Sequence, residues 1–212
     1  MESPKLQPPG AGLPWWELLV ARYFVFPRAC RKRNWAGSAE QFQDEGARIL
    51  ALYDAIRAER RSERVLIRRF AGIEDSSLFW SAAMTVEHLN IVGAGILRVI
   101  AGLRRGETPA QPARVEDVKP RGTTSADEVR SEFVRLLATA AAAEEHEPPM
   151  ARGDGPRYGH PWFGPLDAFQ WHCLLGLHQG LHWRQIEAIR HGLAKSRAAD
   201  ELTDIPGQGN VP

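Results

Sequence analysis

Between Leu166 and Leu193 apolar residues recur at helical spacing, so that Trp171, Leu174, Leu175, His178, Leu181, His182, Gln185 and Ile189 fall on or beside one face. A helix patterned in this way has to bury that face against a neighbouring element. Three more segments read alike. The first begins near Ser38, a residue type suited to an N-cap, and carries Phe42, Ile49, Leu50, Tyr53 and Ile56 towards about Arg61. The second begins around Asp75-Ser76-Ser77 and aligns Leu78, Ser81, Met84, Thr85, His88, Ile91, Val92, Gly95 and Val99 before Arg104-Arg105-Gly106 ends it. The third opens at Thr124-Ser125 with a capping-box pattern to Glu128, turns Val129, Phe133, Leu136, Leu137 and Ala140 inward, and stops before Pro148-Pro149.

Two connections separate the later segments. Residues 107–124 contain three prolines and read as a loop that covers one end of the assembly. Residues 148–165 are rich in proline and glycine and hold His160-Pro161-Trp162-Phe163-Gly164, whose aromatic side chains should fold onto the helices. With few β-type alternations elsewhere, the pattern predicts an all-α fold, a four-helix bundle with long second and third connections. Its order is up-down-down-up or up-down-up-down. Residues 1–37 form an N-terminal extension, 38–195 the bundle and 196–212 a disordered tail.

Composition narrows the class further. The chain has 212 residues, 43% hydrophobic and 25% charged, enough for one domain with its own core. Its 27 basic and 26 acidic residues nearly cancel, so no overall field points to nucleic acid. Cys30 and Cys173 form neither a Cys-x-x-Cys motif nor a disulfide framework, and no secretory signal pattern or membrane-spanning apolar run is visible. The expectation is a cytoplasmic protein without a membrane span.

Chemistry concentrates in the histidines. His178 and His182 stand one helical turn apart, and paired neutral imidazoles on one face suit zinc, nickel, copper or iron. Two such ligands make a poor site alone, and the third best placed is His88, in the apolar second segment. Burying three unpaired imidazoles would be costly without a shared partner. The competing reading makes His178 and His182 polar residues near a helix surface and His88 a core histidine donating to a carbonyl. Gln185, seven residues after His178, either orients a ligand imidazole or bound water, or is a packing amide.

Other positions carry weaker signals. His160 is a fourth ligand, a proton shuttle, or the cap of a loop carbonyl. Trp162 and Phe163 pin the loop or wall a substrate cleft, and Cys173 reads as a small buried hydrophobe. His172 and His146 read as solvated, and Glu87 points about 100° away from His88 on a helix. The cluster from Arg28 to Arg33 reads as a solvated turn. Trp15, Trp16, Leu18, Leu19, Tyr23 and Phe24 suit a short helix docked on the bundle or on a second subunit, with a membrane-surface helix as the alternative.

Trp80-Ser81 followed by His88-Leu89, then after a long gap His178, His182, Gln185 and Ile186, resembles the DinB-like family, which includes the YfiT-like metal-dependent hydrolases. His160-Pro161 with Gly164 is similar to an element in an uncharacterised branch of that family, and Arg190 and Gly192 resemble its ending of the last helix. The resemblance runs from about Ser38 to Leu193 and implies a four-helix bundle, often dimeric, with a divalent metal on three histidines. It further implies thiol-dependent transfers or isomerisations with a low-molecular-weight thiol.

A metal on His88, His178 and His182, zinc or nickel, with water completing the shell, would support hydrolysis or thiol-dependent transfer on a small-molecule substrate. The rival is a non-catalytic bundle that binds metal or a small molecule. No Gly-rich phosphate loop and no His-Glu-x-x-His motif is present. A homodimer would cover the aromatic N-terminal segment.

Overall fold

The computed structural model describes residues 4–203, with side chains to residue 196. Four long helices form the bundle: α3 (Trp35–Asp54), α4 (Ala82–Arg104), α5 (Ala126–His146) and α6 (Ala168–Thr203). Ahead of them α1 (Trp15–Val20), a π-helical turn (Ala21–Val25) and α2 (Phe26–Arg31) form one continuous helical stretch. The nine residues 204–212 lie outside the described residues, and so does most of the tail read above as disordered. α6 itself runs past Leu193, where the sequence reading ended it, to Thr203.

Contacts along the helices fix their directions. Trp35 meets Glu144, Gln43 meets Leu137 and Tyr53 meets Ala126, so α3 and α5 are antiparallel. Ser38 meets Cys173 and Glu45 approaches Gly180, so α3 and α6 run in parallel. Asn90 meets Val129 while Arg104 meets Pro148, making α4 and α5 parallel, and His88 meets His178 across antiparallel α4 and α6. The order is up-down-down-up. α3 packs on α6 and α5, and α4 on α6 and α5, which sets α3 diagonally opposite α4 and α5 opposite α6.

This topology explains why the connections are long. The links α3–α4 and α5–α6 each cross an end of the bundle on the diagonal, whereas the α4–α5 link travels its whole length. Each crossing carries a small antiparallel pair: β1 (Val65–Leu66) with β2 (Phe79–Trp80), and β3 (Tyr158–His160) with β4 (Gly164–Leu166). Strands this short show no alternation in sequence, so the sequence reading contained neither.

Helix ends also differ from the sequence reading. Asn34, not Ser38, caps α3 by accepting from the Gly37 N–H at 2.8 Å. Ser38 is buried inside the first turn instead, its hydroxyl 3.1 Å from the Asn34 carbonyl and 3.2 Å from the Cys173 sulfur. α3 stops at Asp54 instead of about Arg61, and α4 starts at Ala82 under a Ser81 cap, not at Asp75. The first connection, residues 55–81, is therefore longer than the other two, residues 105–125 and 147–167.

The core is aliphatic and aromatic throughout, with Ile49, Tyr53, Phe133, Val129, Ile186 and Ile189 fully buried. Two glycines let helices close up: a β-carbon at Gly93 would stand 2.5 Å from Leu136 and one at Gly46 2.5 Å from Leu137, so α5 seats adjacent leucines into notches on α4 and α3. Among the described residues one helix, α4, is long and apolar enough by length and composition to cross a membrane, a feature that the sequence reading did not register. Its Val86, Leu89, Ile96 and Leu103 are packed in the core of the bundle.

Candidate metal centre

Each part of the Trp80-Ser81…His88 pattern has a local role. The Ser81 hydroxyl accepts from the Met84 N–H at 3.1 Å and starts α4. Two turns on, His88 emerges on the face towards α6, with its ring 5.3 Å from the Trp80 ring. From α6 the i, i+4 spacing brings His178 and His182 to the same point. The Nε2 atoms of His88 and His182 each lie 3.2 Å from the Nε2 of His178, and the ligand atoms all fall within 4.8 Å of one another. His88 is 6% and His182 4% exposed, while His178 is the half-buried member.

The second nitrogen of two of these rings is committed. His88 Nδ1 is 2.7 Å from the Val118 carbonyl oxygen, which can only accept, so Nδ1 carries the proton. His182 Nδ1 is 2.7 Å from Gln185 Oε1, and Gln185 Nε2 donates at 2.7 Å to the Ser77 carbonyl. The carbonyl of Ser77 thereby fixes the amide orientation, and the amide oxygen fixes the His182 tautomer. Both rings present a bare Nε2 lone pair to the centre. His178 Nε2 can donate to only one of them, so the other contact sets two lone pairs face to face, and a cation there would turn that repulsion into coordination. Four-coordinate zinc with bonds of about 2.05 Å would hold neighbouring ligand nitrogens about 3.3 Å apart, close to the two 3.2 Å spacings to His178, with all three atoms within 4.8 Å.

Val118 reaches His88 because Glu87 holds the long α4–α5 connection in place. The Arg121 and Gly122 N–H groups donate to its two carboxylate oxygens at 3.1 and 2.8 Å, just beyond a 3₁₀ turn, Glu116–Val118. Glu87 points away from the three-histidine cluster, as its helical offset predicts, and binds backbone. Lys119 continues the same loop into an ion pair with buried Glu74, which also accepts from the Gly10 and Gly12 N–H groups at 3.0 Å. Its ammonium sits 5.4 Å from the Trp80 ring centroid. One carboxylate thus joins the N-terminal segment, the first connection and the second around one side of the centre.

His160 lies outside the three-histidine cluster. Its Nδ1 accepts from the Trp162 and Phe163 N–H groups at 3.1 and 3.3 Å, which puts its proton on Nε2, and its ring lies 4.8 Å from Phe163 and 5.3 Å from Trp171. It organises the β3–β4 turn as an acceptor, a role absent from the sequence reading, where the loop-capping alternative had it meet a carbonyl. Trp162 is half-buried with its indole 6.4 Å from the His160 ring, and Phe163 stacks on Phe26 at 4.5 Å.

His172, read above as solvated, is 3% exposed: it stacks on Trp35 at 4.0 Å and pairs with Glu144 at 2.9 Å. The sequence reading placed it off the α6 face that meets α4, yet that side of α6 is covered too, by α3 and α5. Gln179, unremarked in the sequence, is 2% exposed with both amide atoms unpartnered, and lines an apolar crevice with Phe42, Leu89, Val92, Ile96, Leu175 and His178. The roles of Val118, Ser77 and Glu87 were likewise invisible, since a backbone carbonyl leaves no mark in a sequence and Glu87, noted only for pointing away from His88, acts across thirty-odd residues.

No family model and no curated protein matches the chain. A solved structure described as TT2238, a four-helix bundle protein, is similar to it with a TM-score of 0.44 and 20% identity, over 73% of this chain and 98% of that one.

Burial holds the His88 and His178 imidazoles well below their ordinary proton affinity, helped by the neighbouring rings, and lowers the pKa of His182 and of His160 to about 4. Unfolded, the same groups take up protons near pH 6.5. Their contribution to stability is therefore complete above about pH 6.5 and is lost as pH falls towards 4, because only the unfolded chain binds the extra protons there. Buried carboxylates such as Glu74, whose pKa is lowered, act in a more acidic window. The metal-free protein should show a melting temperature that drops steadily as pH falls through the window from about 6.5 to 4. A flat profile there would contradict neutral, buried imidazoles.

Proposed function

We propose that this chain is a DinB-like metalloenzyme whose divalent ion, zinc or nickel, is held by His88, His178 and His182, and that it catalyses a hydrolytic or thiol-dependent transfer reaction on a small molecule. The observation that carries this reading is the convergence of three Nε2 atoms at ligand spacing, two of them with the opposite ring nitrogen already engaged. The Trp80-Ser81…His88 and His178…Ile186 pattern supports the family assignment.

An ion bound by three neutral imidazoles keeps its full positive charge, and so lowers the pKa of a bound water or thiol and polarises a carbonyl. The protein's own groups supply the rest. Gln185 and the Val118 carbonyl orient His182 and His88 and raise their basicity. His178, the half-buried ligand, marks the accessible side. His160, protonated on Nε2 and held at Nδ1 by two backbone N–H groups, is suited to donate a hydrogen bond, and Trp162 stands beside it.

Substituting cobalt gives the centre a visible spectrum. Titrating that protein with a small thiol should change the ligand-field bands saturably, as expected if an exchangeable position exists. Bands that stay fixed at every thiol concentration would show a closed site and favour the non-catalytic, metal-binding bundle. Gln185→Met removes the group facing His182 Nδ1 at similar side-chain volume, and zinc affinity measured against a chelator should fall about 10–100-fold. An unchanged affinity would reduce Gln185 to a packing amide.

A further inference from the structure

The N-terminal helical stretch has two sides of opposite character. Its inner side carries Glu17, 7% exposed, which takes both guanidinium nitrogens of Arg69 at 2.8 Å and the Gly72 N–H at 3.2 Å. Lower on that side come Phe26, stacked on Phe163, and buried Cys30. Docking is thus specific and uses Glu17, Phe26 and Cys30, with the other large apolar residues of the stretch left outside. Trp15 is 74% exposed, Trp16 53%, Leu19 44%, Val20 46%, Tyr23 58%, Phe24 68% and Val25 57%.

These residues form a ladder with a four-residue step: Trp15, Leu19 and Tyr23 beside Trp16, Val20 and Phe24. In a plain α-helix a four-residue step drifts about 40° per rung. The π-helical turn over Ala21–Val25 winds more widely and counters the drift, so the rungs stay on one face. The same step then reaches Arg28, followed by Arg31 and Lys32, all exposed. The sequence reading made Arg28–Arg33 a separate solvated turn, whereas it continues the apolar face.

Monomeric proteins rarely leave so large a contiguous apolar face open. Charge decides what covers it. Glu17 is the sole acid between residues 4 and 34, and it is turned inward onto Arg69. A second copy laid on this face would bring in Arg28, Arg31 and Lys32 with no acid from the same stretch to meet them. An anionic lipid surface accepts both halves: tryptophan, tyrosine and phenylalanine seat at the headgroup boundary, and the basic rungs pair with phosphates.

We propose that the helical stretch 15–32 is a membrane-surface anchor that lies flat on anionic lipid, its Trp15–Phe24 ladder in the interface and Arg28, Arg31 and Lys32 on the headgroups. Through the Phe26–Phe163 stack it would set the β3–β4 turn, and with it His160, close to the bilayer. The anchor stands independently of the metal site.

The test is co-sedimentation of the full-length protein with vesicles of phosphatidylcholine alone and of phosphatidylcholine mixed with phosphatidylglycerol. The protein should pellet with the mixed vesicles and stay soluble with the neutral ones. The double variant Trp16→Ser/Phe24→Ser and the triple variant Arg28→Glu/Arg31→Glu/Lys32→Glu should each bind the mixed vesicles about tenfold more weakly or worse, with unchanged circular dichroism and metal content. Failure of the native protein to pellet with the mixed vesicles would overturn the proposal, as would equal binding to both kinds. A lipid-free dimer that Trp16→Ser/Phe24→Ser converts to monomer would overturn it in favour of a second copy.

Discussion

The loops and helix ends of this bundle converge on three imidazoles, two of which can offer the third nothing but lone pairs. Two of them spend their N–H outward, on the Val118 carbonyl and on Gln185, so neither can donate inward. Burial keeps them neutral, and the single N–H of His178 cannot serve both, so at least one buried nitrogen is left without a donor. A bound cation reverses the balance. The feature that makes these neutral rings costly to bury, notably under mildly acidic conditions, is the one that suits them to hold a metal ion.

The topology supplies the supports. Up-down-down-up order forces the α4–α5 connection to travel the length of the bundle, which takes its 3₁₀ turn past His88. Glu87, one residue before that ligand, anchors the loop by two backbone N–H groups. The diagonal crossing from α3 to α4 brings the Ser77 carbonyl to Gln185 and Glu74 to Lys119. Loop carbonyls thus fix the ring orientations, that of Val118 directly at His88 and that of Ser77 through Gln185 at His182, while α4 and α6 fix the ring positions.

That division explains what could be read from the sequence. His178, His182 and His88 stood out because helical periodicity places them, and the all-α bundle followed from the same periodicity in four segments. Val118, Ser77 and Glu87 did not, since their contacts join distant loop positions and involve backbone. Ser38 looked like a cap because serine favours that position, yet Asn34 was four residues upstream and better placed. His172 was misplaced because its partner, Glu144, sits on a helix whose register against α6 no local pattern reveals. The N-terminal aromatics were seen as a helix seeking cover, and only the structure shows that the side bearing Glu17, Phe26 and Cys30 is the docked one.

The most direct test of the central claim is the metal content of protein purified without an affinity tag, measured beside a His182→Ala variant. Near one zinc or nickel ion per chain, lost in the variant while the fold persists, is the predicted result. A native protein that holds no ion even after incubation with either metal, or a variant that holds as much as the native chain, would contradict it.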